Sequence, residues 1–589
     1  MHKVHSGADC QVTNVNPQHR RLSALRRQYR GLVFFAIALM LGVHELQAAA
    51  VLKPSEAARF LTQATFGPTE RTIYALAGQD GYGDWLREQF SAPMSLQLPY
   101  VQRRYYAEGR AQGRTEQDLN RFFNINSTTG ARHDAWWRNV LRGEDQLRQR
   151  VAFALSEIFV VSDRDLALLV SQFGMADYYD TLVRHSFGNY RDLLEAITLH
   201  PVMGKYLSSV RNEPNDAANN KRPDENFARE LLQLFSIGVN RIKMNGQPFL
   251  NANGSPIASY SQADIVEYAR VFTGWNYQNL TWDYWDGLGN VVKPMVPVAR
   301  YHEPGAKRLI NGRRTDGSAR VDLKAALDSI FLHPNVPPFI SKQLIQRLIT
   351  SNPTPAYIAR VARVFVNNGQ GVRGDLRATV RAILLDQEAR NGHNLAPRRF
   401  GKLREPLLRI THSWRAFSAR ATPTAQYGLV PDMSFKTPFD GGMYELNRII
   451  NQGVLRAPSV FNFFLPNYSP PGILRTAGMV GPEFQIATES ATLGITNLLN
   501  GHVQEDWAAG NVWTPLHLAR QTALARNPER LLDHLNLVLL SGSMTSEFRK
   551  LLLEYLDESP LDDSEQGRLA MARDAISLII NSPDYLIQK

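Results

Sequence analysis

Cysteine is nearly missing: the 589 residues contain one, Cys10. It lies upstream of the apolar run at residues 31–43, inside a stretch that reads as removable. The processed chain is therefore expected to hold no disulfide, no thiolate metal site and no cysteine nucleophile. The position also excludes an acylated lipoprotein cysteine, which must follow the apolar run. Long hydrophobic runs are scarce as well. The run at 31–43 is 13 residues long, against about 20 for a spanning helix, and no later charge-free segment comes closer. No membrane span is expected in the mature chain. Charge of one sign is also modest: of the formal +11, six basic residues against two acidic ones place +4 in the first 50 positions. The other 539 carry 60 basic and 53 acidic residues without a polybasic block, which argues against a nucleic-acid partner. Finally, the strings His-Glu-x-x-His and Gly-x-Ser-x-Gly, a phosphate-binding P-loop and an EF-hand loop are absent, which disfavours a familiar zinc protease, serine hydrolase or nucleotide enzyme.

With 44% hydrophobic and 21% charged residues, there is ample material for a packed core. Residues 1–50 have the order of a secretion signal: an arginine-rich stretch ending at Arg30, the apolar run, then Ala48-Ala49-Ala50. The expected product is a periplasmic or secreted protein beginning at Ala49 or Val51. Arg20-Arg21 and Arg26-Arg27 lack the full twin-arginine surroundings, which leaves that route and Sec both open.

Helical periodicity dominates residues 51–240. At 145–161, Leu147, Val151, Leu155, Ile158 and Phe159 recur at three- and four-residue steps with Arg148, Gln149 and Glu157 between them. The same pattern predicts helices at 131–141, 166–185, 190–199 and 223–237, with Gly238 as a stop. Residues 241–318 change texture. Asn245-Gly246, Asn253-Gly254, Asp286-Gly287, Gly289-Asn290 and Asn311-Gly312 are turn dipeptides around short segments such as Val291-Val292. They predict small hairpins, interrupted by one helix at 261–273. Helices return at 319–420, an ordered Pro/Gly/aromatic-rich loop region is expected at 421–481, and helices close the chain at 482–589. The fold class expected is mainly α, a multi-helical globular body with a β-hairpin insertion.

The densest polar constellation runs from Arg222 to Phe235. On a helix, Phe227, Leu231, Leu234 and Phe235 form the apolar stripe, while Glu225, Asn226, Arg229, Glu230 and Gln233 fill the other arc. Glu225 and Arg229 have the favourable i,i+4 orientation. The face reads either as solvated surface or as a polar cleft. In the cleft reading Glu230, at the apolar boundary, is an acid of raised pKa or a metal ligand, and Arg229 orients an anionic group. Tyr301-His302-Glu303-Pro304-Gly305-Ala306-Lys307 adds a histidine, a carboxylate and a lysine in one turn, with His302 as acid/base or ligand candidate. His200-Pro201 and His333-Pro334 read as helix boundaries. The oxygen-rich loop 212–220 has no cation-loop spacing and reads as surface. The aromatics of Asp283-Tyr284-Trp285-Asp286 suit hairpin stacking better than sugar binding.

Four strings in order, Ala57-Ala58-Arg59-Phe60-Leu61 with Ala64-Thr65-Phe66-Gly67-Pro68-Thr69, His200-Pro201-Val202-Met203, Glu225-Asn226-Phe227-Ala228-Arg229-Glu230-Leu231 and Phe272-Thr273-Gly274-Trp275, resemble the bacterial family catalogued as domain of unknown function 1800. The resemblance implies a mainly helical exported protein, often encoded beside a companion similar to the sulfatase and alkaline phosphatase superfamily. It supplies no reaction. His302 and Lys307 fall where that family tends to carry a histidine, an acid and a lysine, the acidic position here being Glu303. Two functions follow as expectations. The first is a hydrolase-like enzyme acting on an anionic or polysaccharide substrate. Glu230 and His302 would be its catalytic residues, Glu225, Asn226, Arg229 and Lys307 would bind, and a divalent metal is a possible cofactor. The second is a non-enzymatic binding or assembly factor whose aromatic-rich stretch 435–484 docks the exported companion.

Overall fold

The helix Gln146–Ser156 lies at the centre of the molecule, and every one of its residues is buried, Arg148, Gln149 and Arg150 included. Its periodicity suggests one solvated face. That face is instead covered by other segments, which supply partners for its polar groups. Gln149 donates to the Ser95 carbonyl at 2.8 Å, Arg150 donates to the Arg347 carbonyl at 2.6 Å, and the Arg148 guanidinium sits 4.4 Å from the Phe187 ring centre.

The computed structural model describes residues 52–121, 129–283, 290–419, 449–504, 516–558 and 562–589. Residues 1–51, Tyr284-Trp285-Asp286 and residues 420–448 with Phe435 lie outside them. From Leu52 to Lys589 the chain forms one compact unit, and its main core runs from Ala57 to Tyr585. Aromatic packing centres on Trp136, Trp137 and Trp414, whose successive ring centres are 5.1 Å apart. The fold is mainly helical with two-stranded antiparallel pairs. No helix among the described residues is long and apolar enough to cross a membrane.

Capping residues set many helix starts. Ser261 and Asp264 form a capping box on Gln262–Val271, and Asn189 accepts from the Arg191 N–H. The predicted helix at 166–185 is broken into Leu166–Leu169 and Gln172–His185. That at 223–237 is shortened to Asn226–Gln233. Asn212 explains the late start: its Oδ1 accepts from Asp224 N at 2.7 Å and its Nδ2 donates to Asp224 O at 3.0 Å, which holds residue 224 in a loop. The Asp224 carboxylate then accepts from Asn226 N at 2.8 Å.

Turns appear at three of the five dipeptides, and Asp286-Gly287 and Gly289 lie outside the described residues. Gly246 and Gly254 are left-handed beneath the bridges Ile242↔Pro248 and Leu250↔Pro256. Asn311-Gly312 joins the paired strands Lys307–Arg308 and Arg314–Thr315. Val291-Val292 forms no strand; the neighbouring ladder pairs Trp275–Asn276 with Val296–Pro297. In the loop region, Phe463 and Phe464 are buried in a satellite cluster with Val160, Ala457 and Ile486.

Candidate functional site

Two of the four sequence strings, Glu225 to Leu231 and Phe272 to Trp275, meet at the helix Asn226–Gln233. Phe227 packs edge-on against Phe272 with ring centres 4.9 Å apart. Gly274 N donates to Asn212 O at 2.9 Å, and Arg211 N to Trp275 O at 2.7 Å. Gly274 adopts φ of +80°, and a Cβ there would stand 2.7 Å from His302 N. Only glycine permits both the turn and this approach. His200 caps the helix Pro201–Tyr206 through Nδ1, and His333 accepts from Asn335 N at 3.1 Å, so both act at helix boundaries.

The outer face of the helix carries Glu225 and Arg229, paired at 2.8 Å. Gln262 donates to Glu225 Oε2 at 2.7 Å and accepts from Arg229 at 3.3 Å, closing a small ring. Asn226 is exposed beside it. These groups reach solvent and keep hydrogen-bonding capacity for a ligand.

Glu230 differs from its neighbours. It is 6% exposed, and its buried Oε2 has no hydrogen-bond partner. Burial pushes its pKa up, against a weaker opposing pull from Arg229. Tyr206 and Tyr260 are close enough to feel its charge, and burial with that charge lifts both phenols to about 12. The helical wheel sets Glu230 on the polar arc at its apolar edge; tertiary packing buries it.

His302 and Lys307 come together, as their turn predicts, around a residue that sequence reasoning missed. Asp322 is fully buried. Its Oδ2 accepts from Lys307 Nζ at 2.6 Å and faces His302 Nε2 at 3.0 Å, while its Oδ1 accepts from Thr315 Oγ1 at 2.7 Å and Gly317 N at 2.9 Å. Burial alone would raise the Asp322 pKa, but the bonds from Lys307, Thr315 and His302 outweigh it and hold the carboxyl below its usual range. His302 Nδ1 faces the Thr273 carbonyl at 3.1 Å, and Lys307 also donates to Glu303 O at 2.6 Å. Both ring nitrogens and the ammonium are thus occupied inside the protein. Glu303 points outward, where it receives Asn215 N at 2.5 Å and pairs with Arg270 at 3.4 Å. No hydrogen bond links this group to Glu230 or to the Glu225 and Arg229 pair.

A second buried charge cluster has no sequence signature. Lys402 is shared by Glu405 at 3.1 Å and Glu483 at 3.0 Å, with Arg347, Arg150 and Glu157 alongside. Burial and the negative charge of Glu405 raise Glu157 well above the usual range; Lys402 and Arg150 hold Glu405 below it against burial. Elsewhere Asp163 sits between Arg132 at 2.5 Å and Arg456 at 2.8 Å. Among the described residues, no group of three or more His, Cys, Asp and Glu side chains is arranged to hold a metal.

A family model described as a protein of unknown function (DUF1800) matches residues 59–587. No curated protein and no solved structure matches the chain.

Proposed function

The chain belongs to the DUF1800 family, and from that premise we propose that it is an exported hydrolase-like enzyme in which Glu230 is the acid and the substrate is an anionic or polysaccharide molecule. One observation carries this reading: Glu230 is a buried carboxyl with an unpartnered oxygen and a raised pKa. Leaving such an acceptor unpaired costs about 1–3 kcal/mol, and native proteins leave few. The Glu230 oxygen has no structural partner to offset that cost, and a carboxyl whose pKa is raised by burial suits donation of a proton to a leaving group. Glu225, Asn226 and Arg229 line the adjacent exposed face and are the binding residues in this reading. The polar atoms of His302 and Lys307 are taken up inside the protein with Asp322, so the two residues take no direct part in this reading. Residues 1–50 direct export.

The test is release of reducing ends from a panel of neutral, sulfated and uronic-acid polysaccharides by purified protein. Turnover is expected to fall by a factor of about 10²–10⁴ in a folded Glu230→Gln variant. Full turnover by that variant would end the assignment of Glu230. A second reading, a binding or assembly factor for an exported companion similar to the sulfatase and alkaline phosphatase superfamily, draws on exposed apolar side chains in one segment. Phe461, Leu465, Ile473 and Phe484 are 44%, 38%, 86% and 38% exposed. Absence of wild-type turnover, together with companion binding lost in Ile473→Asp and kept in Glu230→Gln, would favour it.

A further inference from the structure

The first helix, Pro54–Ala64, carries the N-terminal string, and the proposed function leaves that string unused. Its Arg59 is 7% exposed and lines a cavity of about 360 Å³ together with His393, Arg404 and Lys589. Arg404 is 5% exposed. Neither arginine forms an ion pair with a carboxylate among the described residues. Among the described residues the acceptor of the Arg59 side chain is the Ala389 carbonyl, at 2.9 Å from Nη1. Arg404 contacts His412 Nδ1 at 2.7 Å and the Leu539 carbonyl at 3.5 Å, and its guanidinium lies 4.5 Å from the Tyr585 ring centre. Its Nε has no hydrogen-bond partner, and neither has His393 Nδ1.

A third guanidinium, Arg390, stands behind the cavity wall against the Phe60 and Tyr82 rings. Burial, and then repulsion from Arg390, lower Arg59 to about 10 against smaller opposing pulls from Tyr82 and Glu56. Two side-chain carboxylates line the cavity, and each accepts a backbone N–H rather than an arginine N–H. Glu56 Oε2 accepts from Lys53 N at 3.0 Å, and Asp584 Oδ2 accepts from Thr545 N at 3.1 Å. Enclosed guanidinium charge without a paired carboxylate, opening on a cavity, is the arrangement that a fork-shaped oxyanion completes. Arginine matches such a ligand through two parallel N–H bonds, so the unfilled donors of two enclosed guanidinium groups on one cavity point to it.

We propose that the cavity lined by Arg59, His393 and Arg404 is a binding site for an oxyanion of the phosphate or sulfate class, free or carried as an ester. Its volume equals that of roughly a dozen waters at about 30 Å³ each, more than one bare ion fills, so the ester is tested alongside the ion. The proposal is independent of Glu230, because the two share no residue.

Isothermal titration of the full processed chain at pH 7.5 and matched ionic strength would use inorganic phosphate, inorganic sulfate, glucose 6-phosphate and glucose. Saturable binding of at least one anion is expected, with glucose inert and affinity at least tenfold weaker in Arg59→Gln. Arg59→Lys, which keeps the charge and loses the fork, should fall between the two. Glucose 6-phosphate binding tighter than phosphate assigns an ester; equal binding assigns the free ion. No saturable binding by wild type, or equal affinity in wild type and a folded Arg59→Gln variant, overturns the site. Arg404→Gln should weaken the same anion at least tenfold, and if that variant fails to fold the Arg59 series alone decides.

Discussion

Replacing Lys307 with methionine removes an ammonium from a carboxylate that has no route to water. Lys307 and Asp322 are both fully buried and lie 2.6 Å apart. Breaking one side of a buried ion pair costs about 3–5 kcal/mol. Thr315, Gly317 and His302 still serve the carboxylate afterwards, so the loss at neutral pH should sit near the lower end, about 3 kcal/mol. The pH dependence separates this account from a simple packing defect. In the wild type Asp322 is held below its unfolded value of about 3.9. Its ionised form therefore contributes stability above about pH 4, and that contribution fades as pH falls through the folded pKa. Without Lys307 burial dominates, and the folded pKa rises above the unfolded one. The contribution of the group is then full below about pH 4 and lost as pH climbs. The stability gap between the two proteins should widen from pH 4.5 to pH 7.5. Urea unfolding at both pH values measures it, and adding Asp322→Asn to Lys307→Met should recover at least about 1 kcal/mol. A loss under about 1 kcal/mol at pH 7.5, or a gap that ignores pH, would refute the reasoning.

Further outcomes follow from other groups. Glu230 is raised by burial, so its contribution to stability is full below its unfolded value of about 4.3 and is lost as pH rises through the folded value. The melting temperature of Glu230→Gln relative to wild type should accordingly climb between pH 4 and 8, and a flat difference would contradict the burial argument. Asp180 accepts from Gln97 N at 2.7 Å and Leu98 N at 2.9 Å at the start of the helix Leu98–Ala111. Asp180→Ala strands both donors and should cost about 2 kcal/mol or more in urea unfolding. Lys402→Met leaves Glu405 and Glu483 without their shared cation and should cost about 3–5 kcal/mol; a cost under about 1 kcal/mol would mean that water reaches the cluster. Amino-terminal sequencing of protein from the export compartment should begin at Ala49 or Val51, and melts of that form with and without thiol reductant should superimpose.

Sequence period and turn chemistry determined which segments are helical and where the chain reverses. Leu147, Val151 and Leu155 mark the helix Gln146–Ser156 because 3.6-residue geometry puts them on one side, although the periodic stretch reaches 161 and the helix stops at 156. Gly246, Gly254 and Asn311-Gly312 mark reversals because they tolerate positive φ. The pairing of Glu225 with Arg229 and the boundary positions of His200 and His333 are local as well, set within four residues. What is buried against what was decided only by the tertiary structure. Arg148, Gln149 and Arg150 occupy the polar side of a helical wheel, and no local pattern shows that Ser95 and Arg347, 54 and 197 positions away, supply their carbonyl partners. Asp322 reads in sequence as an ordinary first-turn acid until the strand pair Lys307–Arg308 and Arg314–Thr315 brings Lys307 and Thr315 to it. The cluster around Lys402 and the cavity between Arg59 and Arg404 join residues far apart in the chain. Periodicity reports only the local direction of a side chain, whereas desolvation, and with it pKa and reactivity, depends on which distant segment closes over that side chain.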